Sequence, residues 1–153
     1  QTRLSALALT VPAARPVSPL AVQITGKRFL PWNDPESKGS FSAVFSGDSC
    51  LMSLNLTGEE KLIPFGRGRW LISETDLEGP NLIRRPGGPE HNLIAAAYEW
   101  SSDSTLDMII RYIESPHHIK IRGSFEGDTL ILNARLSPPP GYDMPALKAV
   151  MEK

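Results

Sequence analysis

Cysteine is nearly absent from this 153-residue chain. The single one, Cys50, cannot form an internal disulfide, so a packed core must hold the fold. Its strand spacing with Met52 and Leu54 marks it as a small buried hydrophobe rather than a reactive thiol. A surplus of either charge is also missing: 16 Lys and Arg stand against 17 Asp and Glu, for a formal net charge of -1. Nucleic acid and anionic membranes attract basic surfaces, so no nucleic-acid partner is expected. No apolar run approaches the roughly 20 residues of a membrane helix, so no membrane span is expected. The start lacks the basic head and long apolar core of a signal peptide. Because Gln1 replaces an initiator Met, a processed product or a fragment of a longer chain is expected.

Catalytic signatures are missing too. Ser37 and Lys38 are adjacent, and no serine stands three residues before a lysine. There is no Gly-x-Ser-x-Gly elbow, no phosphate-cradling loop and no His-Glu-x-x-His pair. His117 and His118 are neighbours, and neighbours on a strand point to opposite faces, so they cannot share a metal there. His91 and Cys50 lie far off in sequence. No catalytic, cofactor-binding or metal-binding residue is therefore assigned, and the chain is not read as an enzyme.

What is present is a repeat. Phe45-Ser46-Gly47-Asp48 and Phe125-Glu126-Gly127-Asp128 each end one apolar strand on an inward Phe, whose ring is expected to be buried, and precede another. Glycine supplies the positive φ that a two-residue hairpin turn requires. Asp48 and Asp128 are turn residues, not a catalytic carboxylate pair.

Period-two alternation then maps the sheet. Leu20, Val22 and Ile24 open a first strand over 20–30. Phe41, Ala43 and Phe45 face one way, as do Cys50, Met52, Leu54 and Leu56. Leu62 to Phe65 begins a fourth strand, which Gly66 and Gly68 bend toward Trp70. Residues 75–92, with Pro80, Pro86, Gly87, Gly88 and Pro89, form one long loop. Further strands carry Ile94 to Trp100, Leu106 to Tyr112, Ile119 to Phe125 and Leu130 to Leu136. Residues 1–19, punctuated by Pro12, Pro16 and Pro19, read as a linker or docking segment. The tail, 138–153, is Pro-rich, and Leu147, Val150 and Met151 form the apolar stripe of a short C-terminal helix.

The fold class is all-β. About eight to nine sequential strands with tight turns fit an antiparallel up-and-down β-barrel or a sandwich, and closure removes exposed edges. The barrel spans 20–137. Tyr98, Trp100, Tyr112 and Trp70 are candidate pocket or core aromatics, as is Trp32, with core filling favoured in so small a barrel. The long loop holds Arg84, Arg85, Glu90 and His91, and long loops are uncommon unless functional or disordered.

Several segments together resemble the C-terminal domain of bacterial serine hydrolases of the class C β-lactamase-related, penicillin-recognising family. They are Leu7-x-Leu9 with Pro12, Ser18-Pro19-Leu20, and Ile24-x-Gly26-Lys27-x-Phe29. To these add the first hairpin, Ile63-Pro64-Phe65-Gly66-x-Gly68-x-Trp70, and Ala97 to Trp100 with Asp103, Thr105 and Leu106. Arg111 to Pro116 and the last hairpin complete the set. The resemblance covers roughly residues 4–136 and implies a lipocalin-like barrel. It also implies a non-catalytic accessory domain, shaping substrate access or oligomerisation, with a covalently linked serine hydrolase catalytic domain as partner. That catalytic domain is absent here, so none of its catalytic residues transfers. Arg84, Arg85, Glu90 and His91, with residues 1–19, are then the expected interdomain contact. A homo-oligomer is a further candidate partner, and a periplasmic or secreted parent is favoured. The alternative reading is a lipocalin-like small-ligand-binding barrel. An open apolar interior with a few convergent polar groups discriminates it from the accessory domain.

Overall fold

The computed structural model describes residues 10–12, 16–31, 39–55, 60–75, 92–113, 116–137 and 146–152. The expected all-β barrel is what forms. A five-residue helix, α1 (Leu20–Ile24), precedes β1 (Arg28–Pro31), β2 (Ser40–Ser46), β3 (Ser49–Asn55), β4 (Glu60–Arg67) and β5 (Leu71–Thr75). Then follow β6 (Asn92–Ser102), β7 (Thr105–Tyr112), β8 (His118–Glu126), β9 (Thr129–Ser137) and β10 (Leu147–Met151). All ten strands belong to one sheet, in the order β4-β3-β2-β1-β10-β9-β8-β7-β6-β5. Parallel pairing of Gly66 with Ala97 and of Arg67 with Tyr98 joins β4 to β6 and closes the ring. β5 then continues along the same edge of β6, antiparallel to it. The bend between β4 and β5 falls where the two glycines stand. A Cβ on Gly66 would run into the Arg69 carbonyl, and Gly68 takes φ 71°.

The two repeated hairpins do the same work. Gly47 and Gly127 have φ 57° and 61°, as the turn requires. The Asp48 carbonyl accepts the Arg67 amide at 2.7 Å, and the Asp128 carbonyl accepts the Met151 amide at 2.7 Å. Each Asp thus ties its hairpin to a third strand, β4 in one case and β10 in the other. Registers match the sequence alternation: Phe41, Ala43 and Phe45 oppose Leu54, Met52 and Cys50. Phe125 opposes Leu130.

Three expectations fail, each for a local reason. Residues 20–24 are helix rather than strand. Ala21 and Ile24, three apart, are buried, whereas Val22 is 81% exposed. Ser18-Pro19 is a helix-start signal that the Leu20, Val22, Ile24 alternation concealed. The tail is strand, not helix: Leu147, Ala149 and Met151 face inward opposite Leu132, Leu130 and Phe29, with Ala149 buried. Five residues carry too little pattern to separate the two periods. Pairing with both β1 and β9 decides the matter, because otherwise both edges stay open. Phe45, finally, is only partly buried, although its ring packs on the core.

Up-and-down topology sorts the connections between two ends. At one end lie the tight links 47–48, 68–70, 103–104 and 127–128. α1 lies across that end, with Ala21 and Ile24 in the core. The Ser18 hydroxyl donates to the Asp103 carbonyl at 2.5 Å and accepts from the Leu20 amide at 3.1 Å. The Phe45 amide donates to Thr25 Oγ1 at 2.9 Å. At the other end lie the strand termini Pro31, Ser40, Asn55, Glu60, Thr75, Asn92, Tyr112, His118, Ser137 and Leu147.

Candidate functional site: the barrel interior and its open end

Near α1 the interior is filled by aromatic rings in a connected chain. Phe41 meets Phe29 at 6.4 Å, Phe29 meets Phe125 at 5.7 Å, and Phe125 meets Trp100 at 6.0 Å. Phe45 then joins Trp100 and Tyr98, each at 5.6 Å. Most contacts are tilted or edge-on, the arrangement the ring quadrupole favours.

Toward the opposite end the inner wall changes. On β6 and β7, Ile94 and Ile110 are fully buried. On β8, β9 and β10 the inward-facing Ile119, Leu132 and Leu136 are only partly buried, and Leu147 is 41% exposed. Their solvent contact distinguishes this stretch of the inner wall from the ring-filled end. β10 begins opposite Leu132, so β9 runs on past it toward Leu136.

Polar atoms point into this interior. Ser73 pairs with Ile94 and Ile94 with Tyr112, which sets both hydroxyl residues in one inward row across β5, β6 and β7. Ser73 Oγ, the Tyr112 hydroxyl and, at the ring-filled end, Trp100 Nε1 are buried without a hydrogen-bond partner among the described residues, whereas the Tyr98 hydroxyl has the Arg67 side chain beside it. Native interiors leave few such atoms, and each calls for a cause. Burial alone pushes the Tyr112 hydroxyl up to about 12. Burial, with the nearby Cys50, also raises the Tyr98 hydroxyl. Arg67 acts on it as a neighbouring charge that lowers what burial raises.

Of the candidates read from the sequence, Tyr98, Trp100 and Tyr112 all face the interior, at 1%, 2% and 6% exposure; Tyr98 and Trp100 meet around Phe45, and Tyr112 lies toward the other end, opposite Ile94. Trp70 does not. It is partly buried away from that cluster, and the Arg111 guanidinium lies 5.7 Å from its ring centroid. Trp32, Arg84, Arg85, Glu90 and His91 lie outside the described residues. Cys50 is buried and its thiol is pushed up to about 12 by desolvation, as suits an inert core residue. Among the described residues no group of three or more metal-ligating side chains comes together. His118 stands on the outer wall opposite Arg111 in register, and burial and the cations Arg111, Lys120 and His117 lower its pKa. No described helix is long and apolar enough to cross a membrane.

Ser73 and Arg67 were missed in the sequence. Leu71, Ser73 and Thr75 do alternate, but the alternation is too polar to stand out beside the long loop. Arg67 looked like part of a glycine-rich bend.

The outer wall carries a cleft of about 690 Å³, bordered by Thr10 to Pro12 and by Asp107, Arg111, Lys120, Arg122 and Arg135. Arg122 forks onto Asp107 there at 2.7 and 3.1 Å. Of segment 1–19, expected to dock on another domain, Thr10–Pro12 and Ser18 engage the barrel itself.

No family model matches the chain, and no curated protein matches it. Among solved structures 16 chains match. One is a fatty acid-binding protein from brain tissue of Drosophila melanogaster, solved without citrate inside. It superposes with a TM-score of 0.53 over 84% of this chain and 99% of its own, at 9% identity. At that identity the likeness establishes the fold alone, a closed lipocalin-like barrel. Neither search gives a link to a serine hydrolase.

Proposed function

We propose that this chain is a small-ligand-binding barrel whose interior receives a mostly apolar molecule through the end opposite α1. One observation carries the reading: Ser73 Oγ and the Tyr112 hydroxyl lack partners among the described residues, beside an apolar wall that is not fully buried. Such atoms cost free energy when desolvated and unpaired, and a ligand or ordered water removes that cost. The superposition on a fatty acid-binding protein supports the same reading at the level of architecture.

The expected strength follows from burial. Each methylene buried contributes about 0.8 kcal/mol, so ten contribute about 8 kcal/mol. Association costs at least about 4 kcal/mol. The remainder, about 4 kcal/mol at most, corresponds to a dissociation constant near millimolar, and each hydrogen bond of about 1 kcal/mol to a polar atom tightens it roughly fivefold. Calorimetric titration with dodecyl ligands tests this, followed in parallel by tryptophan fluorescence, since Trp100 lines the interior. Saturable one-to-one binding is the expected result. The absence of saturation up to the ligand's solubility limit overturns it.

The second reading, a non-catalytic domain joined to a serine hydrolase, rests on the segment resemblances. A Ser-x-x-Lys domain encoded directly upstream is its test. The two readings are compatible, since a ligand-binding barrel can also be one domain of a larger chain.

A further inference from the structure

We propose that the row formed by Ser73, Ile94 and Tyr112 holds the polar head of the bound molecule, and that this head is an uncharged oxygen group, a hydroxyl or carbonyl, not a carboxylate. This rests on the lumen reading above and names the ligand class within it.

The placement comes from register. Ser73, Ile94 and Tyr112 are consecutive partners across three strands, on the inward face. The row lies in the half of the barrel away from α1, since Tyr112 ends β7 and its amide reaches the His117 carbonyl at 3.1 Å. One position on, Ile110 opposes Ile119, which begins the partly exposed apolar wall. A molecule entering from the open end therefore meets the two hydroxyls and the apolar wall together. Tyr112 is 6% exposed and its hydroxyl has no partner, nor has Ser73 Oγ. Two hydroxyls offer two donors and several acceptor lone pairs, enough to satisfy an alcohol or a carbonyl oxygen.

The charge argument is independent. Desolvation acts on the Tyr112 hydroxyl, and among the described residues no cation contributes. A carboxylate seated there would leave water without a compensating charge, which is far costlier than burying a neutral oxygen that accepts a hydrogen bond. Among the described residues Arg67 lies inward on β4, and it acts on Tyr98 and not on Tyr112.

The test compares 1-dodecanol with dodecanoate at pH 8, by calorimetry on the full chain and on the Tyr112→Phe and Ser73→Ala variants. Dodecanol is expected to bind at least about tenfold more tightly than dodecanoate. Tyr112→Phe, which keeps the ring, is expected to weaken dodecanol about fivefold to tenfold and to leave dodecanoate unchanged. Ser73→Ala, too small a change to unfold the barrel, gives a second reading of the same row. Equal binding of both ligands, or dodecanol binding unmoved by both variants, overturns this inference while the lumen reading stands. Tighter dodecanoate binding that depends on Arg67 overturns it as well. If neither ligand binds, the lumen reading falls, and this inference with it.

Discussion

The two ends of the barrel are built from the same strands by opposite means. Beneath α1 the links are short, the rings interlock, and hydrogen bonds tie the helix and the turns to the strands. Ser18, Thr25, Asp48 and Asp128 each satisfy a backbone group that would otherwise be left over. At the far end the connections are longer, inward side chains keep solvent contact, and the hydroxyls of Ser73 and Tyr112 have no partner. Sites that receive ligands are commonly drawn from the less stable part of a fold.

The largest expected effect tests that division directly. Phe125 is 7% exposed and contacts Phe29 and Trp100. Phe125→Ala should cost about 3–5 kcal/mol in urea unfolding, as for other large-to-small core changes. Leu136→Ala, on the inward face of the other end, should cost about 1 kcal/mol or less, because the side chain is only partly buried. Equal losses at the two positions would erase the distinction between the ends.

Next comes the hairpin that anchors β10. Gly127 has φ 61°, and a Cβ there meets nothing within 4 Å. Backbone strain is thus separated from crowding. Gly127→Val should cost about 1–3 kcal/mol from the left-handed conformation alone. It should also loosen the Asp128–Met151 bond, seen as faster amide exchange at Met151 than at Arg67. A variant as stable as the parent would show that the turn relaxes without strain.

How far these ends were legible in the sequence depends on where pattern lengths were sufficient. Strands of seven or more residues, such as Ser40–Ser46 and His118–Glu126, announced themselves by alternation, and the Phe-x-Gly-Asp turns fixed their register. The two five-residue elements at the chain's margins were each read with the wrong period. Leu20–Ile24 showed a strand spacing and folds as helix. Leu147–Met151 showed a helical spacing and folds as strand. In both, tertiary context chose, through the core under Ala21 and Ile24 and through the edges of β1 and β9. The candidate site was legible in part. Tyr98, Trp100 and Tyr112 stood out as aromatics at period two. That Tyr112 is accompanied by Ser73, and that their hydroxyls lack partners among the described residues, depends on pairing between strands distant in sequence.

The latch on α1 should have a smaller effect. Ser18 is buried and its hydroxyl joins the start of α1 to the turn at Asp103. Ser18→Ala leaves the Leu20 amide and the Asp103 carbonyl each short of a bond, at about 1–2 kcal/mol. The loss should appear first as exchange at the helix amides. Ser18→Ala without change in stability or exchange would mean that α1 is held by Ala21 and Ile24 alone.

The smallest effect is expected where a comparable side chain does no stabilising work. Tyr112→Phe removes a buried hydroxyl that has no partner, so ligand-free stability near pH 7 should stay within about 0.5 kcal/mol of the parent or rise slightly. Alkaline pH gives a second readout. The folded hydroxyl is raised from 10.0 to about 12. Above pH 10 the unfolded chain therefore loses this proton before the folded chain does. The stability linked to this group is fully present below pH 10 and is lost as pH rises toward 12. Tyr112→Phe should make the stability profile flatter across that window. A variant that is markedly less stable at pH 7 would show that the hydroxyl is already paired, by water or by protein, in the empty barrel. The polar row would then belong with the well-satisfied end, and the contrast between the two ends would lose its chemical basis.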